Sequence, residues 1–263
     1  MTSVGFYVHS ERADAVALAQ TMGDWLRNRG LEVVDATTDQ LDLVIAIGGD
    51  GTVLRGASRA VSANADVLGI NLGELGYLAE VEPDGWREAL VAYVEGRHQI
   101  EERLLVGGSL GGGDELPHGL NEFVIEKQDP GRTVRLSVTI DGGYFTTYLA
   151  DGLIVATPTG STAYSLSARG PIVDPTHRAL IMTPVSPHTL FDRSLVLGPT
   201  SVVEISVLGD RDAALSIDGQ PCGLVAVGQT VTITAAPHPA RFVTFGSRNF
   251  HQILKAKFRL SDR

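Results

Sequence analysis

The residues best placed to do chemistry are Gly48, Gly49, Asp50, Gly51 and Thr52, which close the apolar run DLVIAI. Glycines at the end of a strand leave backbone N–H groups open to a ligand, and the N-terminus of a following helix favours an anion. That combination suits phosphate. An aspartate among such groups repels phosphate unless it has another task. Two tasks fit: taking a proton from an attacking hydroxyl, or coordinating the Mg2+ that accompanies a nucleoside triphosphate. Both belong to phosphoryl transfer, where positioning and charge neutralisation carry most of the catalysis. The competing reading is a tight turn in which Asp50 caps the next helix.

Three further segments carry polar or small residues at the ends of apolar runs: NLGELGYLAE at 71–80, LNEFVIEK at 120–127, and DGLIVATPTGSTAYSLSARGPIV at 151–173. The chain has no G-x-x-x-x-G-K-[ST], and no G-x-G-x-x-G follows its first apolar run. A Walker-type loop and a standard dinucleotide fingerprint are therefore both excluded, and a nucleotide would have to be held by another device.

The elements that must position these residues change character along the chain. From Ser3 to about Gly96, short apolar runs alternate with helical stripes. VGFYVH, LEVVD, LDLVIAI and DVLGINL read as strands. Residues 11–29 read as a helix with Ala15, Leu18, Ala19, Met22 and Leu26 on one face, TVLRGASRAVSA as a second helix, and PDGWREALVAYVEG as a third with proline in its first turn. This rhythm predicts a mostly parallel sheet covered on both sides.

Beyond about Arg97, β-rich runs separated by Asp-Gly and Gly-Gly turns predict antiparallel, sandwich-like sheet, interrupted by a short helix at STAYSLSARG. The expected organisation is an α/β domain over 1–97, a β-rich domain over 98–248, and an amphipathic segment over 249–263 that returns to pack on the first domain.

GGDGT, the Asn121-Glu122 pair and the Asp151-Gly152 to Tyr164 run, taken in this order, resemble the NAD kinase family over essentially the whole chain. GGDGT alone is shared with diacylglycerol, sphingosine and, in variant form, phosphofructokinases; the two later segments are far more specific. The resemblance implies transfer of the γ-phosphate of ATP, or in some members of polyphosphate, to the 2'-hydroxyl of NAD's adenosine ribose, giving NADP. It also implies a divalent metal ion, Mg2+ or Mn2+, and a homo-oligomer, dimer or tetramer.

Carried over residue by residue, the resemblance makes Asp50 the general base, with Gly49, Gly51 and Thr52 in the nucleotide loop and Arg55 facing phosphate one turn into the helix. Asn121 and Glu122 become the NAD-binding pair, chemically apt because together they can accept from and donate to a ribose diol. Asp151 falls near the nicotinamide end. Thr162, Ala163, Tyr164, Ser165, Leu166 and Ser167 border adenine or ribose, and Ser186, His188 and Gln220 are further nucleotide contacts. Plainer readings stand beside several of these: a solvated helix arginine for Arg55, turn formers for Asp151 and for Asp218-Gly219 before Gln220, and an exposed loop histidine for His188.

Two positions depart from the family pattern. Leu149 stands where many bacterial members carry a basic residue, and Arg169 interrupts the usual A-G-G-P. A lipid kinase sharing the loop and a non-catalytic dinucleotide sensor are the rival functions. The NE and GSTAY segments argue against the first, and the retained Asp50 against the second.

Composition narrows the partners. A formal net charge of -10 argues against general nucleic-acid binding, although local cations can still hold a nucleotide. The single cysteine, Cys222, permits no internal disulfide and fits a reducing cytoplasm. No apolar run approaches the roughly 20 residues of a membrane span.

Overall fold

The computed structural model describes residues 2–9, 11–38, 40–73, 75–246 and 249–260. In chain order the elements are β1 Ser3–Val8, α1 Ala13–Arg27, β2 Glu32–Val34, β3 Leu43–Gly48, α2 Asp50–Ser62, β4 Asp66–Asn71, α3 Trp86–Val94, β5 Gln99–Arg103, β6 Val106–Leu110, β7 Asp114–Gly119, β8 Glu122–Lys127, β9 Val134–Ile140, β10 Gly143–Ala150 and β11 Gly152–Ala156. They continue with α4 Tyr164–Ser167, β12 Leu180–Val185, β13 Leu195–Leu197, β14 Val203–Leu208, β15 Ala213–Ile217, β16 Gln220–Val225, β17 Thr230–Ala235, β18 Ala240–Thr244 and α5 Phe250–Lys257.

Two compact units emerge: Met1–Glu102 with Ala240–Arg263, and Arg103–Pro239. The first is built on one sheet of order β2-β1-β3-β4-β18-β5, in which β1, β2, β3, β4 and β18 pair in parallel. All six residues of β3 are buried, as its uninterrupted apolar run requires of a strand covered on both faces. On one face, α1 and α3 pack over Leu43, Ile45, Ile47, Leu68 and Ile70 through Met22, Leu26, Trp86 and Leu90, and Trp25 meets Trp86 edge-on. On the other face α2 lies hard against β3.

Small differences from the expected elements have local causes. Leu18 and Ala19 pack on the edge of the core, whereas Gly23 joins Ala15, Met22 and Leu26 in the buried stripe of α1. Pro83 opens a single 3-10 turn, Pro83–Gly85, and the α-helix proper starts only at Trp86.

The second unit is two antiparallel sheets, of order β10-β9-β14-β17-β6-β7 and β13-β12-β11-β8-β15-β16. Their inner faces share one core, in which Val134, Leu136 and Val138 of the first sheet meet Phe123, Ile125, Leu153 and Val155 of the second. This is a β-sandwich. Asp141-Gly142 and Asp218-Gly219 form two-residue hairpin turns, Ile140 pairing with Gly143 and Ile217 with Gln220, and all four turn residues have positive φ. β18 adds to the parallel sheet beside β4, so the first unit takes residues 240–246, which the sequence division groups with the β-rich part.

Candidate functional site

In the first unit, Gly49 is the N-cap of α2 and Asp50 its first residue, at the carboxyl end of the central strand β3. Ligands of open parallel sheets bind at such ends. Asp50 does not cap its own helix. Its carboxylate turns to the loop that follows β4, where Oδ2 accepts from the Tyr77 N–H at 2.9 Å and Oδ1 from the Leu78 N–H at 3.1 Å. Burial raises the Tyr77 phenol above its ordinary pKa, and the Asp50 charge adds to the effect.

The glycine before this amide pair is a steric requirement. A Cβ on Gly76 would lie 2.1 Å from Asp50 Oδ1. At Gly49 and Gly51, in contrast, an added Cβ would meet nothing in the chain within 4 Å. Packing therefore demands the glycine that clamps Asp50 but not the two beside it, whose bare peptides suit close approach by a ligand.

The loop itself is anchored from several sides. Buried Asn71 accepts from the Gly73 N–H at 3.2 Å and donates to the Gly73 carbonyl at 3.3 Å. Arg12 donates to the Leu72 carbonyl at 2.7 Å. From α5, Lys257 Nζ lies 4.6 Å from the centre of the Tyr77 ring, with the Phe250 ring on the same tyrosine. Thr52 is buried, whereas Arg55 is exposed on α2.

In the second unit, Asn121 and Glu122 sit where β8 begins, in the middle of its sheet. Gly160 is pressed onto Asn121 so closely that a Cβ there would lie 2.0 Å from the Asn121 carbonyl oxygen. The side chain of Glu122 is almost fully buried and its Oε2 has no hydrogen-bond partner. Burial pushes the Glu122 carboxyl up to about 8; the nearby Asp218 charge adds to this and the Tyr164 N–H opposes it. A carboxyl kept protonated can donate as well as accept.

The TPTGSTAYSLS segment forms a 3-10 turn, Thr159–Thr162, followed by the four-residue α4. Tyr164 and Ser167 are exposed, and Thr162, Ala163 and Leu166 are partly so. Ser165 is fully buried, its hydroxyl bonded to Thr183 Oγ1 at 3.0 Å, and Ser161 bonds both backbone groups of Val173. These two hydroxyls hold the turn in place and do not line an open surface. The expectation that the whole run of hydroxyls offers itself to adenine or ribose thus divides by position.

Asp151 pairs with Lys127, Nζ to Oδ1 at 2.7 Å, both side chains being partly buried. The Lys127 N–H also donates to the Asp151 carbonyl, and the Asp151 N–H to the Val185 carbonyl. Next to them, Ser186 is exposed with a positive φ of 45°, and exposed His188 donates its N–H to the Leu149 carbonyl at 2.7 Å. Gln220 is exposed at the start of β16. Sequence reasoning missed Asn71, Gly76 as a steric partner of Asp50, and Lys127. Asn71 and Gly76 lie in the conspicuous NLGELGYLAE and Lys127 closes LNEFVIEK, but nothing local in either segment marks what these residues touch.

Residues 31–98 match the family model of the ATP-NAD kinase N-terminal domain, and residues 120–245 that of the ATP-NAD kinase C-terminal domain. An NAD kinase of Heliobacterium modesticaldum is 38% identical over 98% of this chain and 98% of its own length. The chain belongs to the ATP-NAD kinase family. An NAD kinase of Carboxydothermus hydrogenoformans is 39% identical, covering 88% of this chain and 84% of that protein.

Among solved structures, an Archaeoglobus fulgidus NAD kinase in complex with ATP superposes with a TM-score of 0.77 at 25% identity, covering 99% of each chain. Yeast NADH kinase complexed with NADH superposes with a TM-score of 0.86 at 24% identity, covering 100% of this chain and 89% of that one, a likeness of fold. The family resemblance and the architecture inferred from sequence both hold, and neither rival function gains support. No helix among the described residues is long and apolar enough to cross a membrane.

Proposed function

We propose that the chain phosphorylates the 2'-hydroxyl of NAD's adenosine ribose at the expense of ATP, giving NADP and ADP, and that Asp50 is its general base. The supporting observation is the Asp50 carboxylate itself, turned away from its own helix and held by the Tyr77 and Leu78 amides at a strand end. Each carboxylate oxygen spends one lone pair on an amide and keeps another. One of these accepts the 2'-hydroxyl proton as the ribose oxygen bonds to the γ-phosphorus and the bond from that phosphorus to the β–γ bridging oxygen breaks. The proton then passes to solvent.

Gly49, Gly51 and Thr52 present the nucleotide loop and the N-terminus of α2, and Arg55 offers charge to phosphate. Asn121 and Glu122 take a ribose diol, and Thr162, Ala163, Tyr164, Leu166 and Ser167 border the nucleoside, with Ser165 fixing their turn. Asp151, Ser186 and Gln220 are assigned to the remainder of the dinucleotide.

Among the described residues no three His, Cys, Asp or Glu side chains converge as a metal site. We assign the ion to the phosphates of ATP, because Mg2+ prefers phosphate oxygens and water to an all-protein cage. The Mg2+ or Mn2+ ion would neutralise charge on the phosphates. A cytoplasmic homo-oligomer, dimer or tetramer, completes the proposal by carry-over from the family.

The test is mass spectrometry of NAD incubated with Mg2+ and either ATP or polyphosphate, with NADH and diacylglycerol as competing acceptors. NADP formation by the intact protein and its loss by 100-fold or more in Asp50→Asn, on the order expected for a general base, are the expected results. No NADP from the intact protein overturns the activity. Full activity in Asp50→Asn removes only the base assignment.

A further inference from the structure

Asp218 occupies a hairpin turn, and a turn alone explains its type and its positive φ of 49°. Its carboxylate does more than the turn needs. Oδ2 accepts from the Leu120 N–H at 2.8 Å, while Oδ1 accepts from the Asn121 N–H at 2.7 Å and the Glu122 N–H at 3.1 Å. The Asp218 N–H also donates to the Glu122 carbonyl at 3.0 Å, extending the register in which Ile217 faces Phe123.

The same three residues are gripped through their carbonyls. The Thr157 hydroxyl donates to the Leu120 carbonyl, and the Thr157 N–H donates to the Asn121 carbonyl at 2.8 Å, next to the close approach of Gly160. The backbone polar groups of Leu120 and Asn121 are thus bonded by two residues drawn from two neighbouring strand ends. Little freedom remains for the direction in which Asn121 and Glu122 leave the backbone.

We propose that Asp218 is a positioning residue for dinucleotide binding: its carboxylate orders the Leu120–Glu122 backbone so that Asn121 and Glu122 meet the ribose in one fixed geometry. This rests on the reading of those two residues as ribose contacts. Three convergent N–H groups bind an anion, and a charged acceptor makes each bond stronger than a neutral one would. An asparagine in its place keeps one acceptor oxygen and adds an NH2 group that faces donors. Burial raises the Asp218 carboxyl above its ordinary pKa, and the three amide bonds pull it back. Ionised Asp218 adds its charge to the burial that keeps Glu122 protonated.

The test is steady-state kinetics of Asp218→Asn and Asn121→Ala against the parent, each substrate varied with the other saturating. For Asp218→Asn the expected result is a KM for NAD raised about tenfold, the size of one lost hydrogen bond to a charged group, with kcat and the KM for ATP within twofold of the parent. If Asp218→Asn does not fold, Asp218→Ser, which keeps a short acceptor, carries the same expectation. An unchanged KM for NAD in a folded variant overturns the proposal, as does an equal loss in kcat and both KM values. Should Asn121→Ala also leave the KM for NAD untouched, the failure lies in the ribose assignment and not in Asp218 alone.

Discussion

Gly76 and Asp50 are matched by the missing side chain of one and the carboxylate of the other: a Cβ at 76 would stand 2.1 Å from Asp50 Oδ1, well inside contact distance. The amides of Tyr77 and Leu78 reach the carboxylate only because residue 76 has nothing to put between them. Gly76→Ala must push Asp50 aside or open the loop. Displacing a reacting group by about 1 Å costs on the order of 100-fold in rate. We expect kcat to fall by about that factor with the KM for NAD changed less than threefold, in a protein whose circular dichroism matches the parent. A folded Gly76→Ala that keeps kcat would show that the clamp does not set the rate.

Glu122 makes stability depend on pH in a direction opposite to that of a salt-bridged carboxylate. Its folded pKa stands at about 8 against an ordinary 4.5, so the folded state holds a proton that the unfolded chain releases. Where the folded state binds more protons, stability falls as pH rises. The contribution is fully present below about 4.5 and is lost progressively as pH climbs through about 8. Asp218 and the Tyr164 N–H are the neighbours whose charge and dipole act on it. Glu122→Gln removes this titration. Its melting temperature should change less between pH 5 and pH 8 than the parent's, and a parallel pair of curves would rule Glu122 out as the source.

Arg169 adopts φ 68°, the left-handed conformation in which a side chain strains and glycine does not. It is exposed, in the position where the family's A-G-G-P carries glycine. Arg169→Gly relieves roughly 1–2 kcal/mol of strain and gives back roughly 0.5–1 kcal/mol in unfolded-state entropy. Urea denaturation should report a net gain of about 0.5–1 kcal/mol. A loss of stability would mean that the guanidinium makes contacts outweighing the strain.

How much of this was readable beforehand follows from the range of each interaction. The parallel sheet was legible because covered strands such as LVIAI and stripes such as Ala15, Met22 and Leu26 are local patterns, and GGDGT lay at a strand end for the same reason. The clamp on Asp50 was not, since it joins amides at 77 and 78 to a carboxylate at 50, and spacing along the chain does not encode that contact. That the Ser165 hydroxyl turns inward to Thr183 was not legible, because a hydroxyl run on a short helix has no apolar stripe to say which side faces in. Asp218 hid behind its own turn signal: Asp-Gly between strands is sufficient for a hairpin, so nothing in the sequence asks what else the carboxylate does. Which sheet β18 joins is equally silent, as five strand-forming residues carry no address.

Lys127 and Asp151 form a partly buried ion pair between neighbouring strands. The register of β8 and β11 sets Gly152 opposite Glu126, so the next residue, Lys127, reaches Asp151 across the strands. Both side chains are less than a third exposed, at 27% and 31%, which shields the pair from full solvent screening. Removing one partner leaves the other half-buried and unpaired, whereas removing both leaves no charge to satisfy. Lys127→Met should therefore destabilise the protein by about 1 kcal/mol. The double variant with Asp151→Asn should be less destabilised than the sum of the single changes by about 0.5–1 kcal/mol, measured by urea denaturation in a double-mutant cycle. Strict additivity would mean that the two charges are held by their own surroundings. In that case the 2.7 Å approach of Lys127 to Asp151 contributes no net coupling to stability.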